Sequence, residues 1–339
     1  MTGYSNTRTV TTAGLLAALG AFAAQPAMSA DLLVNNYLPP KHPFQTGVTL
    51  PWIKDVAKAT NGSVKVKLSA TKVGPPPKNW QTVTKGLADV VLLANIFQPK
   101  RIQMPTISEI PMSSPGALKT SKALWTTHEK FFAKANEYKG TKLVGSFVLT
   151  GNVIHSGGKP IRTLGDLKSF KLRAAPGIST RILKELGAVP VASGPSKIFG
   201  LMSKGVVDGV AVPAHGLRAF RILPYVKYST VIPGGLTNTS FSLLINGKKW
   251  KSLSKKQRQQ VMSVSGMHVS NYLTVGDRVA AGGLKALKKQ GGKVISAAPD
   301  LMAAIGKFAA KAQSEWIAKA NAKGIDGKAA LAFYKAQLK

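Results

Sequence analysis

A chain of 339 residues that is 44% hydrophobic can bury one large core or two medium ones, and with no cysteine it must hold them without disulfides or thiolate-bound zinc. Its 47 Lys plus Arg against 13 Asp plus Glu create a field that attracts anions and acidic surfaces. The cations are scattered in ones, twos and threes, and no zinc finger, RNA-binding sheet motif or basic zipper is present, so nucleic acid is a poor candidate partner.

The first thirty residues hold Arg8, no acid, the apolar run "AGLLAALGAFAA" and the small residues "QPAMSA". This is the pattern of a secretory signal peptide (residues 1–30) cleaved near Ala30, and its removal leaves a net charge of +33. No later stretch approaches the roughly 18 uninterrupted apolar residues of a membrane span, so the mature protein is expected to be exported and soluble.

"DLLVNNYLP" opens the mature chain as a strand, and a proline-rich loop leads to a helix that stops at Asn61-Gly62. "SVKVKLS" alternates strictly, as a half-buried strand does, and the helix "WQTVTKGLAD" runs into the apolar strand "VVLLAN". After a helical stretch over 114–140 the theme resumes with the strands "TKLVGSFVL", "FKLRAA", "VPVAS" and "VDGVAVP", with helices between the later ones. "TSFSLLIN" is one more alternating strand, and the remainder is helical apart from "KVISAA". Repeated βαβ units predict parallel sheets with right-handed crossovers. The two blocks predict two α/β domains with a cleft between them, where small-molecule sites form most readily.

Recognisable catalytic machinery is absent. The histidines His42, His128, His155, His215 and His268 show no i, i+4 pair and no HExxH, so no metal site is expected, and no cofactor is called for. There is no GxSxG elbow, no phosphate-binding P-loop and no GxGxxG after a strand. Arg173 stands apart from the surface lysines. Its neighbours Phe170, Leu172, Ala174 and Ala175 mark a buried strand, and its planar fork can clamp a carboxylate with two hydrogen bonds. A structural partner for it would be Asp166, Glu185 or Asp208; otherwise the partner is a ligand.

The segment "TLGDLKSFKLRAAPGISTRILKELGAVPVASGPSKIFGLMSKGVVDGV" resembles the solute-binding proteins of tripartite ATP-independent periplasmic (TRAP) transporters. The matching motifs are Asp166-Leu167-Lys168, Lys171-Leu172-Arg173, Leu186-Gly187-Ala188, Pro190-Val191 and Gly205 to Gly209. The resemblance extends over nearly all of the mature chain. It implies a two-domain periplasmic binding protein fold of α/β class, with a ligand cleft at the hinge and a long helix spanning both domains. On that pattern domain I is 31–150 plus 240–281, and domain II is 151–239 plus 282–339.

The resemblance also implies a non-enzymatic, monomeric receptor that captures a small organic acid and delivers it to a TRAP permease. Arg173 matches the family arginine that binds the ligand carboxylate, and Asn238 matches a polar cleft position. A second polar clamp falls near Val153, and an asparagine common after the VDG motif is replaced by Val212. Loss of both argues for a monocarboxylate with a less polar body, aromatic acids among the candidates, rather than a dicarboxylate. Topology adds Trp80, Asn95, His42, His155 and His215 as further cleft candidates. A competing reading of the charge is an exported polycationic protein that binds anions or surfaces and has no transport role.

Overall fold

The computed structural model describes residues 1–4 and 29–339, so the expected signal peptide lies almost wholly outside the described residues. Eleven strands are described: β1 (Ala30–Val34), β2 (Val64–Leu68), β3 (Val90–Ala94), β4 (Thr141–Val148), β5 (Val153–Ser156), β6 (Lys171–Ala174), β7 (Val189–Ala192), β8 (Gly209–Val212), β9 (Tyr228–Val231), β10 (Ser240–Asn246) and β11 (Lys293–Ser296). They form two sheets, ordered β2-β1-β3-β10-β4 and β11-β9-β5-β8-β6-β7.

In the first sheet β1 runs parallel to β2 and β3, while β10 is antiparallel to β3 and β4. Alternation works as expected in β2, where Val64 and Val66 are buried and Lys65 and Lys67 exposed. The unbroken apolar run of β3 is buried throughout, as a central strand covered on both faces must be. In the second sheet β6 pairs in parallel with β7 and β8, whereas β5 is antiparallel to both β8 and β9. β5 and β9 escape a reading by alternation. Each has four residues, and β5 buries His155 and Ser156 beside its valine and isoleucine, so no period-two contrast appears.

The chain crosses between the sheets from β4 to β5 and again from β9 to β10. There Gly151 and Gly235 lie backbone against backbone: a Cβ on Gly151 would sit 2.5 Å from the Gly235 Cα. Gly235 also holds a φ of 80°, which favours glycine. Asn152 N donates to the Thr237 carbonyl and Leu236 N to the Asn152 carbonyl, zipping the two crossings together.

Helices tie the sheets as well. The Thr274–Lys289 helix packs at its start on the Ala117–Thr127 helix and further along on β11 and the Gly216–Ala219 turn, where Gly283 meets the Ala214 carbonyl too closely for a side chain. The 23-residue Pro299–Asn321 helix starts beside Arg162, whose carbonyl accepts from Ala298 N. Near its far end Trp316 Nε1 donates to the Met104 carbonyl. Phe308, Trp316 and Tyr334 thereby join Met104 and Leu124 to Ile154 and Leu172 in one continuous core. A separate core of Leu32, Trp52, Val56, Phe147 and Leu243 lies against the first sheet.

Asp277 holds the first of these connections: its carboxylate accepts from Ala117 N at 2.7 Å and Leu118 N at 3.2 Å, capping a helix 160 residues away. Asp277→Ala should lower unfolding stability by about 1–2 kcal/mol in denaturant titration, with Asp277→Asn losing less because an amide oxygen still accepts.

Candidate ligand cleft

Loops at strand ends converge between the two sheets on a cavity of about 320 Å³. β1 and β3 contribute the segments carrying Tyr37, Leu38, His42 and Phe44, and Ile96 and Phe97. The crossings contribute Leu149, Asn152, Thr239 and Phe241. At or next to the ends of β6, β7 and β8 lie Arg173, Ser193 and Val212, with Ala175, Pro176, Ile198, His215 and Phe220 on the segments that follow. The lining is predominantly apolar, and much of it is aromatic.

Arg173 is 3% exposed. Its Nε donates to Ser193 Oγ at 3.1 Å, and one Nη2 N–H donates to the Ser193 carbonyl. None of the three acids that could have balanced it does so. Asp166 accepts from Arg162 N and Thr163 N, Glu185 pairs with Lys311, and Asp208 accepts from Lys171 N. Among the described residues Arg173 has no ion-pair partner. Burial pushes its guanidinium down to about 10, which still leaves it cationic at neutral pH. The turn that follows opens the space in front of it: Gly177, at φ 90°, swings the chain away from the strand end into the Ile178–Glu185 helix.

Of the residues expected in the cleft, Arg173, Val212, His42 and His215 line this cavity, and Val153, Trp80, Asn95, His155 and Asn238 do not. Val153 faces Val212 in the β5–β8 ladder and packs inside the sheet. Its neighbour Asn152 reaches the cavity instead, with its side-chain amide donating to Thr237 Oγ1 at 2.8 Å. Trp80 is in the core beside Val83 and Leu93, and Arg101 stacks 4.7 Å from its ring centre. His155 is fully buried against Ser229 Oγ at 2.6 Å. Asn238 binds Ser114 Oγ and the Leu149 carbonyl, fastening one crossing to the other.

Asn95 follows the end of β3, but its side chain turns into the sheet. Its Nδ2 donates to Ser240 Oγ at 3.0 Å, and its Oδ1 accepts from Ser242 Oγ at 2.9 Å. Glu109 joins this network by accepting from both the backbone N–H and the hydroxyl of Ser240. The aromatic wall of Tyr37, Phe44, Phe97, Phe220 and Phe241 was not anticipated. The strand-end rule that pointed to Asn95 would also have reached Tyr37 and Phe97.

Electrostatically the cavity holds one permanent charge, the guanidinium. Burial lowers His42 to about 4 and His215 to about 4, so both rings are neutral at pH 7. Tyr37 spends its hydroxyl proton on the Leu92 carbonyl at 2.9 Å. Such a site suits one carboxylate on an apolar body. No group of three or more metal-ligating side chains occurs among the described residues, and no described helix is long and apolar enough to cross a membrane.

Burial raises Glu109 from 4.5 to about 7, against the lowering effect of its Ser240 hydrogen bonds. Because the folded value exceeds the unfolded one, its favourable contribution is complete below pH 4.5 and is lost as pH rises through 7. Glu109→Gln should therefore gain stability on the parent between pH 5 and pH 8, by on the order of 2–3 kcal/mol at most, in urea titrations at the two pH values.

The model of bacterial extracellular solute-binding proteins, family 7, DctP, matches residues 34–319. A TRAP periplasmic solute-binding protein from Bordetella bronchiseptica, solved with bound (R)- and (S)-mandelate, superimposes with a TM-score of 0.87 at 31% identity, covering 91% of this chain and 98% of that one. A marine-metagenome TRAP solute-binding protein specific for aromatic acid ligands, in complex with 3-hydroxybenzoate, superimposes at 0.82 with 26% identity, covering 92% and 98%. The outer membrane transporter protein TsaT of Comamonas testosteroni is 30% identical over 331 residues, 97% of each chain. TRAP solute-binding proteins bind small organic acids in the periplasm and work with membrane permeases. With two α/β sheets around one cleft and the family pattern spanning most of its length, this chain belongs to bacterial extracellular solute-binding protein family 7, the DctP family.

Proposed function

We propose that this protein captures an aromatic monocarboxylate in the cleft between its two sheets and delivers it to a TRAP permease. The observation that carries this reading is Arg173, a buried guanidinium without a carboxylate partner among the described residues, set in a cavity walled by Tyr37, Phe44, Phe97, Phe220 and Phe241. A buried cation is costly until an anion meets it, and a carboxylate fits the free side of the fork with charge-assisted hydrogen bonds. A second carboxylate would be desolvated against aromatic rings and neutral histidines with no cation to balance it. Val212 contributes apolar wall, and the small cavity volume suits a single-ring acid. Solved relatives that hold mandelate and 3-hydroxybenzoate support the same class.

The protein acts as a receptor rather than an enzyme. A Ser–His contact does exist, His155 with Ser229, but it is sealed inside the second sheet away from the cavity. The leader is removed near Ala30, and the receptor acts as a monomer. Domain I comprises 31–150 plus 240–281 and domain II 151–239 plus 282–339, and ligand contacts from both shift the population toward a closed form.

The test is a calorimetric and thermal-shift comparison of the chain from Asp31 onward with benzoate, mandelate, hydroxybenzoates, succinate and malate. An aromatic acid present at a hundredfold excess over its Kd should stabilise the fold by about 2.7 kcal/mol, and the dicarboxylates should not. Arg173→Ala should weaken that acid by roughly 100-fold or more. Binding confined to the dicarboxylates, or an Arg173→Ala variant with unchanged affinity, would sink the reading.

A further inference from the structure

The cavity contains a second polar feature that the carboxylate site does not use. His42, on the loop after β1, faces His215, on the segment after β8, with ring centroids 6.5 Å apart and planes at 87°. The two rings thus meet from opposite sides of the cleft, and no hydrogen bond joins them. His42 Nδ1 accepts from Phe44 N at 3.2 Å. In the neutral ring the proton therefore sits on Nε2, which has no acceptor among the described residues. His215 is 4% exposed, and its Nδ1 has no hydrogen-bond partner among the described residues. Unanswered polar atoms among aromatic walls are costly, and centroids 6.5 Å apart are close enough for one hydrogen-bonded oxygen to bridge the two imidazoles.

We propose that His42 and His215 are specificity-determining residues that read a second oxygen on the ligand, a hydroxyl on an aromatic acid whose carboxylate is held by Arg173. This rests on the aromatic-acid reading above and adds what the acid carries. The oxygen accepts from the His42 Nε2–H, and its own proton is offered to the His215 ring. A site built around such a contact discriminates against the analogue lacking the oxygen, because the imidazoles are then left unpaired. A trapped water would fill the same gap, but it would give no preference between the two kinds of acid.

The experiment is isothermal titration of acids that differ by one oxygen: benzoate against the three hydroxybenzoates, and phenylacetate against mandelate. At least one hydroxylated member should bind about tenfold or more tightly than its parent. His42→Phe should reduce that preference, the ratio of the two affinities measured on the same variant, to about twofold. His42→Gln, which keeps an N–H, should retain part of it. His215→Phe is the companion variant, with melting curves of the unliganded proteins as a check on folding. If the buried position does not tolerate the change, the half-buried His42 decides between the outcomes. Equal binding of parent and hydroxylated acids, or a preference that survives His42→Phe, overturns this proposal alone. Failure of every aromatic acid to bind overturns both readings.

Discussion

The structure is organised around a cation that the protein itself leaves unbalanced. Arg173 is carried into the interior by a strand whose neighbours are Leu172 and Ala174, and Ser193 occupies only part of its fork. A guanidinium in that position tolerates burial because it stays charged and hydrogen-bonded on one side. Its other side meets no acid among the described residues, and Arg173 lines the cavity. The aromatic residues around it do more than supply apolar contact. By excluding water they lower the local dielectric, so a carboxylate arriving there interacts more strongly than it would at a solvated lysine.

The second dependence is mechanical. A ligand held only by β6, β7 and β8 would leave the first sheet indifferent to its presence, and a binding protein of this kind needs contacts from both sides to change shape. Tyr37, His42, Phe44 and Phe97 line the cavity from the first sheet. The crossings between the sheets are tightly specified. Gly151 and Gly235 touch through bare backbone, Asn238 fastens Leu149 and Ser114, and the Asn95, Ser240, Ser242 and Glu109 network fixes the start of β10. Asn95 and Asn238, which look like ligand contacts in the sequence, are therefore spent on the crossings and the start of β10. A polar residue near a cleft can fasten the backbone as readily as it can face the cavity.

This explains which parts were legible in the sequence. Strands with strict alternation, such as β2, or an unbroken apolar run, such as β3, announce themselves because burial on one face or both leaves a pattern. Arg173 was legible because an arginine in an apolar strand has few structural excuses. β5 and β9 were not, since polar residues buried by cross-strand hydrogen bonds look like loop residues in one dimension. Val153 and Asn152 show the same limit at single-residue scale: alternation along a strand sends adjacent side chains to opposite faces, so an offset of one exchanges a cavity residue for a core residue. Asn95 and Trp80 follow the topology rule for backbone position, yet their side chains turn inward for partners that lie far away in sequence.

The extreme charge can be considered from the side of the acids. Asp89, Asp166, Asp208, Asp277, Asp300 and Asp326 all accept from backbone N–H groups in turns, strand edges and helix starts. Glu137 does the same for Gln103 and Met104 while pairing with Lys323, and Glu109 serves Ser240. Asp55 holds His268 and Tyr272, and Asp31, Glu185 and Glu315 pair with Lys67, Lys311 and Arg181. Of the 13 acids, all but Glu129 are thus committed to a local structural task, and none is left near Arg173. A chain with more carboxylates would have more ways to neutralise Arg173 from within. Scarcity of acids keeps that competition low, and the surrounding positive field raises the local concentration of anions.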